Sequence, residues 1–248
     1  MLQIFTKKLF LKDVLEGFVD IHNHILPGID DGAKNSKESV LLIKGLKDLG
    51  VTQFIATPHI MQDFYPNTYE TIGNAYELLL ENIPKKLLSG ITINPAAEYM
   101  LDGTFEKLLE EGNLFTLKGN YLLIEMSYFQ PPLNLEMLIF KIKTKGYKPV
   151  LAHPERYVFY HNNLEYYDKL KALGCFFQLN LLSISNHYGK SVETTANYLI
   201  DKKLIDFVGT DVHNLSHIEK LSNTVLNKKL AEKMAYLITN TNTTFSVI

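Results

Sequence analysis

Short apolar, β-rich runs alternate with longer amphipathic ones along the 248-residue chain. The apolar runs predict strands near residues 18–21, 53–57, 91–97, 121–126, 149–152, 176–180 and 207–209. Helical periodicity covers 36–49, 68–82, 104–111, 135–145, 164–173, 192–203 and 215–237. Ser36 reads as an N-cap and Gly50 as the stop of the first long helix; Gly146 and Gly174 stop two others in the same way. Strand and helix repeat about seven times, which argues for a parallel sheet with crossover helices. An open doubly wound sheet and a closed barrel both satisfy that alternation.

The residues that end the strands separate the two. The first run ends in Asp20-Ile21-His22-Asn23-His24 and the second in Thr57-Pro58-His59. Glu98 follows the third, Glu125 lies near the end of the fourth, and the fifth leads into His153-Pro154-Glu155-Arg156. The sixth ends near Asn180 and the seventh in Thr210-Asp211-Val212-His213. In a barrel these ends converge on one face, where active sites sit; in an open sheet they spread along a line. A barrel-like closure is therefore expected. No repeat and no Ser/Gly/Pro linker divides the chain, so one domain is expected, with residues 1–17 as an N-terminal extension and 18–248 as the domain.

Composition narrows the partners. Lys and Arg total 25 against 27 Asp and Glu, a formal charge of −2, so nothing steers the chain toward nucleic acid or an anionic membrane. No apolar run is long enough to span a bilayer and no signal-peptide core opens the chain. Cys175 is the sole cysteine, which excludes an internal disulfide and a Cys-x-x-Cys site and fits a reducing compartment. A cytoplasmic protein is expected. Arg156 is the single arginine among the cations. Its planar fork matches phosphate, as a lysine does not.

His22 and His24 are two apart on an extended segment, so both side chains take one face, and Asp211 with His213 repeats the arrangement. With His59, His153, Glu98 and Glu125 they form a nitrogen-and-oxygen ligand set without sulfur, suited to Mn, Zn or Fe. Eight such ligands exceed the needs of one ion, and a shared Glu98 accommodates two or three. A metal lowers the pKa of bound water from 15.7 to about 7 and neutralises phosphoryl oxygens. Tyr128 and Phe129 are candidate flat walls for a phenyl ring. Gly189-Lys190-Ser191 mimics the end of a phosphate-binding loop, but Ile184 stands where its first glycine belongs. His161, His187 and His217 read as solvated.

The segment from Asp20 to Gly32, with His22-Asn23-His24 and Pro27-Gly28-Ile29-Asp30-Asp31-Gly32, resembles the opening motif of a known bacterial family. These are the tyrosine phosphatases of capsule and exopolysaccharide loci (CpsB/YwqE type), in the polymerase-and-histidinol-phosphatase (PHP) superfamily. Thr57-Pro58-His59, Ala97-Glu98-Tyr99, Ile124-Glu125, Ala152–Tyr157 and Gly209–His213 are similar to its later motifs, in the same order. The resemblance implies an α/β fold, a distorted (β/α)7 barrel, and hydrolysis of phosphotyrosine with up to three metals. By position it makes His22, His24, Glu98 and Asp211 ligands of one metal. Glu98 bridges to a second held by Glu125 and His153, and Asp31, His59 and His213 hold a third. Arg156 matches the family's phosphate-binding arginine, and Arg156 and Asp31 are read as catalytic. The implied substrate is the phosphorylated tail of a bacterial tyrosine kinase of polysaccharide export, and manganese is the first choice of metal, with iron or zinc as others. The family usually carries a second arginine shortly after the Asp-x-His motif; Asn214-Leu215-Ser216-His217 has none. Two other readings stay open: a PHP phosphatase of small molecules such as histidinol phosphate or nucleotides, and a regulatory module that binds kinase tails without turnover. Cysteine-based tyrosine phosphatases need an arginine six positions after the nucleophile, and here that position is Leu181.

Overall fold

Each predicted apolar run forms a strand, and the structure, a computed structural model, describes residues 8–247. The first elements are β1 (Leu9–Phe10), β2 (Phe18–Asp20), α1 (Ser36–Asp48), β3 (Val51–Ala56), β4 (His59–Ile60), α2 (Tyr69–Asn82) and α3 (Lys85–Leu88). Then come β5 (Thr92–Pro95), β6 (Glu98–Met100), α4 (Phe105–Glu111), β7 (Tyr121–Glu125), α5 (Leu135–Thr144), β8 (Lys148–Ala152) and α6 (Tyr166–Ala172). The last are β9 (Phe176–Asn180), α7 (Lys190–Asp201), β10 (Phe207–Gly209), α8 (Leu215–Asn223), β11 (Val225–Leu226) and α9 (Lys228–Phe245). Residues 1–7 and 248 of the expected extension and domain lie outside the described residues.

Nine strands form an α/β domain of two parallel sheets, one of six in the order β10-β9-β8-β7-β6-β4 and one of three in the order β2-β3-β5, while β1 and β11 pair antiparallel beside them. Local hydrogen bonds join their edges. Ala96 N–H donates to Ala56 C=O (2.7 Å) and Glu98 N–H to Pro58 C=O (3.0 Å) at one junction. At the other, Asp211 N–H donates to His22 C=O (2.7 Å), and Asn23 bridges Val212 in parallel register. The buried Asp20 carboxylate ties β2 to β10 there: it accepts from Thr210 N–H (2.9 Å) and from the Thr210 hydroxyl (2.6 Å). Burial raises the Asp20 carboxyl to about 6 while these bonds pull it back.

Both faces of the sheets are covered, as parallel strands require. Leu122, Ile124, Leu151 and Phe54 join the large core with the helices, while their neighbours Leu123, Val150 and Ile55 enter a second cluster with Val19, Phe207 and Phe245. The C-terminal helix reaches the first strand directly: Val19 N–H donates to the Asn242 side-chain oxygen (2.8 Å), and Asn242 Nδ2 donates to Gly17 C=O (3.2 Å).

Three local expectations change. The predicted run 91–97 stops at Pro95, and a separate strand begins at Glu98; β3 likewise gives way to β4 across Thr57-Pro58, because Pro58 brings no N–H to a ladder. The cap of α1 is Asn35 rather than Ser36: its side chain accepts from the N–H groups of Lys37 and Glu38. The helix expected over 215–237 is two helices. Val225 and Leu226 pair with Phe10 and Leu9 instead, and Asn227 caps a new helix by accepting from Leu230 N–H. Helical periodicity is blind to a ladder partner more than two hundred residues away.

Gly50 ends α1 at φ 108°, and a Cβ there would lie 2.6 Å from the carbonyl oxygen of Leu15. Gly50→Ala is therefore expected to cost about 1–3 kcal/mol. Thermal unfolding reads this as a lowered midpoint, and an unchanged midpoint would show that the α1–β3 turn does not require glycine.

Candidate metal centre

Strand ends supply every group in the centre but Asp31. His22 and His24 follow β2, His59 opens β4, Glu98 opens β6, Glu125 closes β7 and His153 follows β8. Asp211 and His213 follow β10, and Asp31 lies on the loop before α1. His153 (φ 36°) and Asp211 (φ 51°) hold the left-handed conformation without being glycine. Such backbones cost about 1–3 kcal/mol each and persist where surrounding structure over-determines them. Gly32 keeps the Asp30–Asp31 loop against the site, since a Cβ there would sit 2.1 Å from His24 C=O.

All nine predicted ligands lie in one cluster of overlapping groups. These are His22, His24 and Asp211; His22, Glu98 and His153; His59, Glu98 and Glu125; and His24, Asp31, His59 and His213. Glu125 pairs with His59 at 2.8 Å, and His153 faces Glu98 at 3.1 Å. Glu98 is the common member. Its Oε2 is fully buried and accepts no hydrogen bond, although His22 Nε2 and His59 Nδ1 lie 3.1 Å away and His24 Nε2 3.6 Å away. An orphaned carboxylate oxygen facing three imidazole nitrogens is costly without a cation. The donor set fits one: imidazole and carboxylate, no sulfur.

Outer partners aim the ligands. The Gln178 side-chain oxygen accepts from His22 Nδ1 (2.7 Å), and Asp30 accepts from His24 Nδ1 (2.8 Å). The Asp211 carbonyl accepts from His213 Nδ1 (2.9 Å). With the proton held on Nδ1, each ring turns its Nε2 lone pair inward. Sequence reasoning passed over Gln178, Asn180 and Asp30 in this role. Gln178 and Asn180 interrupt an apolar strand on one face, which was the available signal.

The field here is strongly negative. Burial pulls the His24 imidazole down, but the Asp30 carboxylate overcomes this and raises it to about 10. His59 also rises, Glu125 and Glu98 outweighing its burial. His153 moves the other way, lowered by burial and by the Arg156 charge. Burial would raise Asp31, but hydrogen bonds to His213 and His59 hold it well below the usual carboxylate range. These directions describe a site that selects positive charge.

The cluster floors a cleft of about 460 Å³ walled by Phe64, Tyr65, Tyr128, Phe129 and Arg156. Asp31 stands at its mouth, 3.4 Å from His59 and 3.5 Å from His213. Arg156 Nη1 donates to Asp211 Oδ2 at 2.7 Å. A larger cavity of about 820 Å³ opens where β7, β9 and β10 begin, at Tyr121, Phe176 and Phe207, and none of the cluster residues reaches it. Three histidines expected in solvent are half-buried. His161 Nε2 hydrogen-bonds Glu155 C=O (2.8 Å), because the turn after β8 folds over it. His217 packs beside His213 at the N-terminus of α8, and His187 meets the Lys220 ammonium at 2.9 Å. Cys175 is buried, and that burial raises its thiol to about 12.

Comparisons with known proteins agree with this arrangement. Residues 18–247 match the family model described as capsular polysaccharide synthesis, CpsB/CapC. The tyrosine-protein phosphatase YwqE of Bacillus subtilis (strain 168) is 31% identical over 89% of this chain and 88% of its own. A chain from the crystal structures of YwqE from Bacillus subtilis and CpsB from Streptococcus pneumoniae, described as unique metal-dependent tyrosine phosphatases, matches with a TM-score of 0.81 at 29% identity, covering 92% of this chain and 93% of that chain. A lactonase from Listeria monocytogenes shares the fold alone, with a TM-score of 0.55 at 14% identity over 96% of each chain. From its family match and its close relatives, the chain belongs to the CpsB/CapC family of capsular polysaccharide synthesis.

Proposed function

We propose that this chain is a metal-dependent phosphatase that hydrolyses phosphotyrosine on protein, and that its substrate is a bacterial tyrosine kinase of polysaccharide export. The observation that carries the reading is Glu98 Oε2, buried without a hydrogen bond among three inward-facing imidazole nitrogens. The names of the relatives support the substrate class. The fold reading that goes with it is a distorted (β/α)7 barrel. Seven strand positions support it, with β3 continuing as β4, β5 as β6, and Asp20 hooking β2 to β10. A domain over 18–248 preceded by an extension accords with the family match from residue 18. Among the described residues no helix is long and apolar enough to cross a membrane, and a cytoplasmic location fits the substrate proposed.

His22, His24, Asp31, His59, Glu98, Glu125, His153, Asp211 and His213 would hold two or three ions, manganese before iron or zinc. When bound, the ions supply an acidified water and positive charge over the phosphoryl oxygens. The chain's own residues do the rest. Carboxylates crowd the cleft, so a phosphate dianion is repelled until cations compensate them. Arg156 then grips the phosphoryl group with a charged fork. Phe129, which is 94% exposed, offers a flat surface to the tyrosine ring. The phenolate departs without a strong acid, which favours an aryl over an alkyl ester.

Chelation of the purified protein is expected to abolish hydrolysis of a phosphotyrosine peptide, and Mn, Zn or Fe to restore it. Full activity in demetallated protein would remove the cluster reading. Glu98→Ala is expected to lose more metal per molecule than His59→Ala by elemental analysis, because one carboxylate serves two ions; equal loss argues against a bridge. For Arg156, kcat/KM on the peptide is expected to fall with Arg156→Lys and about 30- to 1000-fold with Arg156→Ala. Cys175→Ser keeps wild-type turnover, since a buried, raised thiol is no nucleophile. A dead Cys175→Ser beside a healthy Arg156→Ala would overturn the mechanism.

A further inference from the structure

Arg156 is the one arginine of the chain, and two tyrosine rings face its guanidinium. The central carbon lies 4.8 Å from the Tyr128 ring centroid and 4.3 Å from that of Tyr188. The rings arrive from different parts of the fold, Tyr128 from the loop after β7 and Tyr188 from the turn before α7. Each is braced on its own side. Tyr128 stacks over His153 at 5.8 Å and packs on Tyr157 at 5.9 Å. The Tyr157 hydroxyl in turn accepts from Met126 N–H (2.9 Å), which pins the start of the Tyr128 loop. The Tyr188 hydroxyl accepts from Asn180 Nδ2 (3.1 Å), and the same nitrogen donates to Asp211 Oδ2 (2.8 Å).

This bracing has a chemical consequence. Aromatic faces attract a guanidinium through its flat face and consume none of its N–H donors. Among the described residues only Nη1 of Arg156 is spent, on Asp211. Arg156 itself lines the cleft that holds His153, Asp211 and His213. A long arginine side chain otherwise samples many rotamers, and fixing it before the ligand arrives removes that entropy from the binding step.

We infer that Tyr128 and Tyr188 are positioning residues that clamp Arg156 in the orientation in which it receives the phosphoryl group. This rests on the reading of Arg156 as the phosphate ligand. It assigns the two rings no contact with the reacting atoms; they act through Arg156.

The test is a set of double-mutant cycles on the metal-loaded enzyme, with kcat and KM measured separately on a phosphotyrosine peptide. Tyr188→Leu, Tyr188→Phe, Tyr128→Leu and Tyr128→Phe are made in the wild-type and Arg156→Ala backgrounds, with metal content and unfolding midpoint recorded for each. Each leucine variant is expected to lower kcat/KM about tenfold in the wild-type background. The phenylalanine variants, which keep the ring, restore most of that activity. In the Arg156→Ala background the leucine substitutions have almost no further effect. Equal losses in both backgrounds would overturn the clamp and assign the rings to the substrate itself, and leucine variants with wild-type kcat/KM would overturn it outright. Failure of the underlying reading looks different: Arg156→Ala would itself keep wild-type kcat/KM, and the clamp falls with it.

Discussion

The constraint on which this structure turns is electrostatic. Asp31, Glu98, Glu125 and Asp211 are brought into one small volume with five imidazoles, and Glu98 is buried at its centre with an oxygen that accepts nothing. No isolated helix or hairpin could hold such a set together, because like charges and unpaired lone pairs push it apart. The parallel strands can, because all of these groups but Asp31 sit at the ends of strands whose backbone is already hydrogen-bonded. Left-handed backbone at His153 and Asp211 and the tight approach of Gly32 to His24 are local strains that this frame sustains. A cation at the centre would turn that repulsion into cohesion.

Much of this was legible from residue order alone. The alternation of apolar runs with amphipathic ones is a local property, and the strands and most helices formed where it indicated. The histidines and carboxylates were conspicuous because they recur at the ends of those runs, and Arg156 because it has no second. What escaped was what depends on distant partners. The break of the last helical stretch at Val225 and Leu226 is dictated by β1, at the other end of the chain. Gln178 orients His22 across 156 positions, and Asp20 meets Thr210 across 190. Tyr188 escaped too, because nothing nearby in sequence says that an arginine lies against it.

The outer partners explain why several polar side chains are buried at some expense in an otherwise apolar interior. Gln178, Asn180 and Asp30 each spend a hydrogen bond on a ligand or on its backbone neighbour, and none contacts the cleft as a reactive group. Their value lies in the direction they impose, since an imidazole rotated by half a turn would present a hydrogen where a lone pair is needed.

The hydrogen bonds from Thr210 to Asp20 and from Val19 to Asn242 join residues 190 and 223 positions apart. On a ribosome, the first strand therefore emerges long before the residues that will hold it exist. Until β10 and α9 leave the exit tunnel, Phe18, Val19 and Ile21 have no complete lining to enter, and the adjoining strand edge stays open. Assembly of the domain is consequently ordered in time: its middle can fold as it is made, while its beginning waits for its end. Nascent chains arrested before the final helix would carry an exposed apolar edge, a binding site for chaperones and for one another.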